Sequence, residues 1–371
     1  MNQRKILALG ATGVIALGVA ACGSSNKGSS GGGGNENAQQ LGGSISGAGA
    51  TFPAPVYQEW GSRFKQQFGT TVNYQAIGSG GGIAQFTQKT VQFGASDAAM
   101  TDDEIKAASK NGQPVHVPTV LGAVTVAYNL DGVDKGLKLD GATIADIFLG
   151  KIKQWNDPKI KAMNSGVNLP SSNITVCHRS DESGTTKNFT AFLADYSPAW
   201  KSGPGVDKTV KWPTGTGAKG NDGVAGCVKQ SKGAVGYVEQ AYALQNNFTF
   251  ASVKNKGGNF VAPTLESTSA ASEGLTITDD LRISTIDAPG DQAYPITALT
   301  FLLVYQDVCK AGADANKAKS LKAWLDYALG AGQQVASQLQ YAPLPDAIKS
   351  QAQAKVKGLQ CNGQPLAGPT S

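Results

Sequence analysis

Apolar residues follow two different spacings along this chain, and the two spacings alternate. Val56, Trp60, Phe64 and Phe68 recur every four residues, which is the period of an amphipathic helix. The same period is found in residues 144–148, 189–196 and 321–329. Apolar runs typical of strands occupy residues 72–77, 91–95, 115–129 (predicted as two strands), 174–179, 234–238 and 298–305. Helices interleaved with strands predict an α/β architecture.

The composition narrows the classes of protein that fit this pattern. The chain has 371 residues, of which 47 are glycine, and 40% of its residues are hydrophobic. The glycines follow no Gly-X-Y period, which excludes a collagen-like chain, and the apolar content excludes a disordered one. The net charge is +5, but no cluster of Lys and Arg is dense enough for a nucleic-acid surface, so no nucleic-acid partner is predicted.

The N-terminus has the zones of an export signal. Positive charge in residues 1–5 precedes an apolar stretch at 6–19, which is shorter than the ~20 residues that span a bilayer. A small-residue pair at 20–21 then precedes Cys22 and resembles the bacterial lipobox, in which the cysteine is lipidated. We therefore predict a signal peptide over 1–21, lipidation of Cys22 and a flexible Gly/Ser tether up to residue 40. The alternative is an ordinary signal peptide with an incidental cysteine.

Four further cysteines lie in the body of the chain: Cys177, Cys227, Cys309 and Cys361. An even number in an exported chain suggests two disulfides, and four cysteines allow three pairings. The favoured pairing is Cys177 with Cys227 and Cys309 with Cys361, because each pair lies within one neighbourhood of the sequence. A zinc site is the alternative, although no C-x-x-C spacing is present.

Many glycines lie at junctions where a predicted strand turns into a predicted helix. The three junctions read GAGATF at 47–52, GSGGGI at 78–83 and RSDESGTT at 179–186. Glycine allows close backbone approach to a ligand, Ser and Thr supply hydroxyls, and a helix N-terminus adds unpaired N–H groups. Together these features favour an anion site. The alternative for each junction is simple N-capping by Ser or Thr. The stretch 212–222 is predicted to be a mobile loop.

Charged residues refine the choice of anion. Arg179 and Asp181 are two apart at a strand end and should share a face, which His178 does not. Asp97 follows the strand-like run at 91–95, and a carboxylate in an anion site makes sense if the anion carries a proton. Phosphate near neutral pH has an O–H to donate, whereas sulfate has none. The alternative is that Asp97 caps a helix over residues 100–107.

These motifs together resemble one family, the phosphate-binding proteins of bacterial high-affinity phosphate ABC transporters, of the lipid-anchored kind. The resemblance covers nearly all of residues 41–361. The blocks that carry it are GAGATFPAPVYQEW, IGSGGGIAQF, FGASDAAM, TIADIFLGKI, HRSDESGTT and GAVGYV. It implies a two-lobed periplasmic-binding-protein (Venus-flytrap) fold with two chain crossings, near 117–124 and 294–297. Lobe 1 would hold 41–120 plus 296–371, and lobe 2 would hold 121–295.

The resemblance also implies a phosphate site. Its residues are Thr51, Phe52, Ser79, Asp97, Arg179, Asp181, Ser183, Gly184 and Thr185. Thr51, Phe52 and Ser79 would donate hydrogen bonds, Asp97 would accept the phosphate proton, and Arg179 would supply a cationic fork steadied by Asp181. Residues 183–185 would close the site from lobe 2. Glu182 stands where many relatives have glycine, and its charge is expected to face solvent.

The implied function is binding without catalysis, with no cofactor and no metal. A lipid-anchored monomer at the extracytoplasmic face of the cell membrane would take up phosphate, close, and present it to permease subunits. The rival interpretations are a binder of sulfate, molybdate or tungstate, a phosphatase that uses Ser183 or Thr185 as nucleophile, and a surface adhesin with a vestigial site. The phosphatase interpretation lacks a convincing base or metal cluster in the sequence.

Overall fold

The computed structural model describes residues 40–133 and 136–368. The predicted signal peptide, the lipidation site Cys22 and all but the last residue of the tether lie outside the described residues. Among the helices of the described residues, none has the length and apolar character needed to cross a membrane.

Strands and helices alternate over most of the described chain, as the apolar spacings predict. The strands are β1 (Ser44–Gly49), β2 (Thr71–Ala76), β3 (Phe93–Ser96), β4 (Pro114–Asn129), β5 (Lys138–Leu139), β6 (Thr175–Arg179), β7 (Thr216–Ala218), β8 (Ala234–Glu239), β9 (Thr249–Phe250), β10 (Ser252–Lys254), β11 (Phe260–Val261), β12 (Thr297–Tyr305), β13 (Gln360–Cys361) and β14 (Gln364–Pro365). The helices are α1 (Ala54–Phe68), α2 (Ser79–Thr87), α3 (Asp102–Ala108), α4 (Gly141–Phe148), α5 (Pro158–Met163), α6 (Gly184–Tyr196), α7 (Pro198–Ser202), α8 (Gly220–Gln230), α9 (Gln240–Gln245), α10 (Leu265–Ala270), α11 (Ala315–Leu329), α12 (Gly332–Gln338) and α13 (Asp346–Lys357).

The largest sheet has the order β2-β1-β3-β12-β4-β8-β6-β7, with β9 also paired to β4. Strand β4 joins its two halves, because Ala123 is its last residue paired with β12 and Val124 is its first paired with β8. Strands β1, β2 and β3 run parallel on one side, and β6, β7 and β8 run parallel on the other. In open α/β sheets, ligands bind beyond the carboxyl ends of such parallel strands.

The prediction of two strands within residues 115–129 is wrong, since β4 is continuous over 16 residues. The strand is buried on both faces along nearly its whole length, and it changes partner without a break in the backbone. The pattern of apolar residues in β4 therefore does not mark the point where the strand changes its pairing from β12 to β8.

Helix α1 shows how the apolar spacing is used. Val56, Trp60 and Phe64 are all buried, and the helix ends at Gly69, whose φ of 71° is the left-handed conformation that glycine adopts readily. The Trp60 ring packs edge-on against the ring of Trp324 of α11, with 6.1 Å between the ring centroids. Its Nε1 donates to the Gly332 carbonyl at 2.8 Å. Segments from both ends of the described chain therefore share one core.

The two disulfides are Cys177–Cys227 and Cys309–Cys361. The favoured pairing is thus confirmed, and the zinc alternative is wrong because both pairs of thiols are consumed. The first bond fastens α8 to β6, and the second ties β13 to the segment after β12.

His116 on β4 makes stability depend on pH. Its Nε2 accepts the Met100 N–H at 3.0 Å, and burial, aided by the positive charge of Arg282, lowers the pKa of the ring to about 4. Between pH 6.5 and 4 the unfolded chain binds the proton more readily, so stability falls by roughly 3 kcal/mol as the pH drops through that window. Urea unfolding at pH 7 and pH 4.5 measures the loss. A His116→Gln variant should lose less stability, and an equal loss in both proteins would contradict this account.

Candidate functional site

Ser79 brings two distant segments of the chain together. Its buried Oγ accepts the Asp97 N–H at 3.2 Å and the Gly184 N–H at 3.1 Å. The carboxyl end of β3 and the N-terminus of α6 therefore meet at the N-terminus of α2. This helix begins after Gly78, whose φ of 95° places the hydroxyl at the turn.

Asp97 is buried where these segments meet, and hydroxyl groups lie beside both of its carboxyl oxygens. Thr300 donates to Oδ1 at 3.0 Å, and Thr185 lies 3.5 Å from Oδ2. Burial raises the pKa of the carboxyl to about 7, although the hydroxyl of Thr300 and the charge of Arg179 oppose the rise. The alternative role of Asp97 as a helix cap is wrong, because α3 starts later and is capped by Thr101.

Arg179 presents its guanidinium from the carboxyl end of β6. Its Nε and Nη2 bind both oxygens of Asp181 at 2.7 and 2.6 Å, which leaves Nη1 directed at the Thr185 hydroxyl at 3.4 Å. Burial alone would raise the pKa of Asp181, but Arg179 and the Gly220 N–H outweigh it and hold the pKa below its ordinary value. Asp181 therefore occupies the Nε–Nη2 edge of the guanidinium, and the remaining hydrogens of Nη1 and Nη2 form the edge that stays available to an anion.

Asn221 is a site residue that the sequence analysis missed. Its backbone N–H and its Nδ2 donate to the Thr51 hydroxyl at 3.1 and 2.9 Å, and Nδ2 also reaches the Thr185 hydroxyl at 3.3 Å. The prediction of a loop over 212–222 is wrong for its second part, because residues 216–218 form β7 and residues 220–222 begin α8. The apolar spacing of Val224 and Val228 after Gly220-Asn221 was the available signal for a helix start.

The hydroxyls of Thr51, Ser79 and Thr185 share one property. Each oxygen accepts two N–H groups: from Asn221 twice at Thr51, from Asp97 and Gly184 at Ser79, and from Arg179 and Asn221 at Thr185. A hydroxyl has two lone pairs and one proton, so all three have only a proton left to offer. The protein thereby fixes three hydrogen-bond donors, and those of Ser79 and Thr185 lie beside the Asp97 carboxyl, which is an acceptor.

Three tyrosines hold the carbonyls of the 50–52 turn, and none was predicted. Tyr74 donates to Ala50 at 2.6 Å, Tyr242 to Thr51 at 2.6 Å and Tyr341 to Phe52 at 2.7 Å. A trans peptide points its C=O and N–H in opposite directions. Tyr74 and Tyr242 therefore also fix the directions of the N–H groups of Thr51 and Phe52.

The segment 182–184 contacts the first residues of α2. Ser183 caps α6 by accepting the Thr186 N–H at 3.0 Å. Its oxygen therefore serves as the N-cap that was the alternative interpretation of the 179–186 junction. At Gly184 a Cβ would lie 2.6 Å from the Ser79 Oγ and 2.8 Å from the Asp97 Cβ, which leaves no room for a side chain. Glu182 is exposed to solvent, as expected, and its carbonyl accepts the Gly80 N–H at 3.0 Å.

The sequence profile described as the PBP superfamily domain matches residues 34–331. The phosphate-binding protein PstS of Pasteurella multocida is 43% identical over 327 residues, which cover 87% of this chain and 93% of that protein. The chain belongs to the PstS family of phosphate-binding proteins. Another member, phosphate-binding protein PstS 3 of Mycobacterium tuberculosis, is 37% identical over 370 residues, or 94% of this chain and 98% of that protein.

A solved structure shows the fold of the family. The high-affinity periplasmic phosphate-binding protein PfluDING, bound with phosphate, matches with a TM-score of 0.70 at 23% identity and covers 84% of this chain and 93% of its own. The family, and its two-lobed periplasmic-binding-protein fold, are thus confirmed as the sequence motifs implied.

Proposed function

We propose that this protein binds inorganic phosphate and delivers it to the permease of an ABC transporter for import. The observation that carries the proposal is the pairing of oriented donors with one buried acceptor. The hydroxyls of Thr51, Ser79 and Thr185 have only protons left to offer, and the Asp97 carboxyl lies beside those of Ser79 and Thr185. An anion that both accepts and donates hydrogen bonds satisfies such a site, and phosphate with its remaining O–H is that anion.

Each predicted residue has a role in this proposal. The N–H groups of Thr51 and Phe52 and the three hydroxyls donate to phosphate oxygens, and Asp97 accepts the phosphate proton. Arg179 supplies the cationic fork through the remaining hydrogens of Nη1 and Nη2, while Asp181 holds the guanidinium in place. Ser183 and Gly184 bring the N-terminus of α6 to the ligand, where its partial positive charge favours an anion.

The proposed lobes are residues 41–120 plus 296–371 and residues 121–295. The change of partner within β4 at Ala123 and Val124 supports the first crossing. The start of β12 at Thr297, close to the bond of the Tyr294 hydroxyl with the Val124 carbonyl at 3.0 Å, supports the second. Phosphate that bridges the lobes would shift the population toward a closed form, which the permease would receive.

The proposal includes a lipid anchor at Cys22 behind a cleaved signal peptide. The anchor and tether would hold a monomer at the extracytoplasmic face of the membrane, close to the permease subunits. Labelled palmitate should enter the wild-type protein during growth and should not enter a Cys22→Ala variant. Equal labelling of both proteins would overturn the anchor and leave the phosphate site unaffected.

The direct test is equilibrium dialysis against labelled phosphate, after bound ligand has been removed by partial unfolding and refolding. We expect one phosphate per chain and no turnover of a generic phosphomonoester. Turnover by the metal-screened protein would favour the phosphatase interpretation, and the absence of any oxyanion binding would favour the adhesin. The Ser183 and Thr185 oxygens both accept N–H groups. The proposal gives Ser183 a capping role and Thr185 a donor role, and neither residue acts as a nucleophile.

Gly184→Ala should weaken phosphate binding by about tenfold to a hundredfold. The new methyl group would enter the contact with Ser79 and Asp97, and overpacking of this kind costs roughly 1–3 kcal/mol. Gly226→Ala is the matched control, because a Cβ at this helical glycine of α8 meets nothing within 4 Å. Calorimetric titration of both variants measures the effect, and unchanged binding by Gly184→Ala would contradict the proposed closure.

A further inference from the structure

Glu239 is a buried acid that the proposed binding mechanism does not use. It is the last residue of β8, it pairs with Val124 where β4 changes partner, and it is fully buried. Its Oε2 lies 2.7 Å from the Tyr341 hydroxyl and 2.9 Å from the Ala241 N–H. Within the residues that the structure describes, its Oε1 has no hydrogen-bond partner.

The number of protons available to the Tyr341 and Glu239 oxygens indicates whether this carboxyl is protonated. The Tyr341 hydroxyl has one proton and contacts two oxygens, the Phe52 carbonyl at 2.7 Å and Glu239 Oε2 at 2.7 Å. The carbonyl can only accept, so the tyrosine proton belongs there. The contact with Oε2 then needs a second proton, and the carboxyl must supply it. An ionised Glu239 would place two lone pairs against each other.

The surroundings of Glu239 favour the neutral form as well. The titratable groups that face it are Asp97 beyond β3, Tyr242 on α9 and Tyr341 after α12, and none of them is a cation. No salt bridge reaches Glu239 in residues 40–133 and 136–368. Burial raises the pKa of the carboxyl well above its ordinary value. A buried Oε1 without a partner is also less costly on a neutral acid than on a carboxylate.

The end of β8 is also connected to the anion site through a second set of hydrogen bonds. The Glu239 N–H donates to Asn221 Oδ1 at 2.9 Å, and Asn221 in turn holds the Thr51 hydroxyl. One residue is therefore connected to both Thr51 and Phe52, whose N–H groups belong to the proposed site.

We propose that Glu239 is a neutral carboxylic acid at neutral pH and a positioning residue for phosphate. Its Oε2–H donates to Tyr341, and the Tyr341 O–H is thereby directed to the Phe52 carbonyl, which fixes the turn that carries the Thr51 and Phe52 N–H groups. The naming of phosphate as ligand rests on the proposed function, whereas the protonation of Glu239 does not.

Infrared spectroscopy tests the proton directly. The spectrum of ligand-free Asp97→Asn protein at pH 8 should contain the C=O band of a protonated carboxylic acid, and Asp97→Asn/Glu239→Gln should lack it. The Asp97→Asn background removes the other buried acid of the site. If the difference spectrum between these two variants shows the loss of a carboxylate band and no band of a protonated acid, the proposal is overturned, whether or not the protein binds phosphate.

Affinity tests the positioning role. Glu239→Gln keeps a neutral donor and should bind phosphate within about fivefold of wild type, whereas Glu239→Ala and Tyr341→Phe should each lose about tenfold or more. Exposed Glu273→Gln is the control and should bind as wild type does. Wild-type affinity in Tyr341→Phe, or equal losses in Glu239→Gln and Glu239→Ala, would overturn the positioning role. Failure of the wild-type protein to bind phosphate would overturn the proposed function and leave the infrared result valid.

Discussion

Replacement of Asp97 by asparagine is expected to weaken phosphate binding by about a hundredfold and to abolish most of the preference over sulfate. In the proposed site the carboxylate accepts the phosphate proton, and loss of a buried charged hydrogen bond costs roughly 2–3 kcal/mol. An amide in the same place would donate to sulfate, which has no proton to give. A site built around such a bond rejects the wrong ligand by roughly 10⁴-fold, and Asp97→Asn should bring that ratio to within about tenfold.

Calorimetric titrations with phosphate and sulfate measure both effects. The control is Asp103→Asn, an exposed carboxyl of α3 that should leave both affinities unchanged. An Asp97→Asn protein that still prefers phosphate strongly would show that the preference comes from elsewhere in the site.

The same variant should be more stable than wild type when no ligand is bound. Because burial raises the pKa of Asp97 to about 7, the folded protein carries a cost above pH 7 for keeping this carboxylate ionised. The cost shrinks as the pH falls from 7 toward 4 and vanishes where the carboxyl is neutral in both states. Urea unfolding at pH 8 should favour Asp97→Asn by on the order of 1–4 kcal/mol, and the two proteins should converge near pH 4.

Arg179→Met is expected to produce the second large loss, about a hundredfold or more in phosphate affinity. The guanidinium is the cation that the site places beside Asp97 and Thr185, and its side chain is only 1% exposed. The substitution also strips Asp181 of its partner, and a broken buried ion pair costs roughly 3–5 kcal/mol of stability.

A double variant separates the two effects of this substitution. Arg179→Met/Asp181→Asn should recover much of the stability and none of the affinity. Arg63→Met is the control, because Arg63 forms an exposed pair with Glu59 on α1. If the double variant recovered phosphate affinity, the role of Arg179 would be confined to neutralising Asp181, and the proposed electrostatics would be wrong.

The parts of the candidate site that lie within a few consecutive residues could be predicted from the sequence. GAGATF, GSGGGI and RSDESGTT each combine glycine, hydroxyl and helix start within a few residues. The parallel strands before the first two end at one edge of the sheet, and Ser79 joins them to the third. The pairing of cysteines and the exposure of Glu182 followed from similarly local arguments.

The missed residues depend on contacts that no local pattern encodes. Tyr341 lies 289 residues from the Phe52 carbonyl that it binds, and Asn221 lies 170 residues from Thr51. Tyrosine and asparagine are common in helices and loops, so neither residue stands out before the chain is folded. The directions of the three hydroxyl protons are likewise set by N–H groups that come from other segments.

Whether the site recognises a protonated anion is decided by calorimetric titrations of the native protein, stripped of ligand, with phosphate and with sulfate at the same pH. If the site recognises the proton on its ligand through Asp97, phosphate binds at one site per chain and sulfate binds weaker by roughly 10⁴-fold. Equal affinities for the two anions would contradict the account.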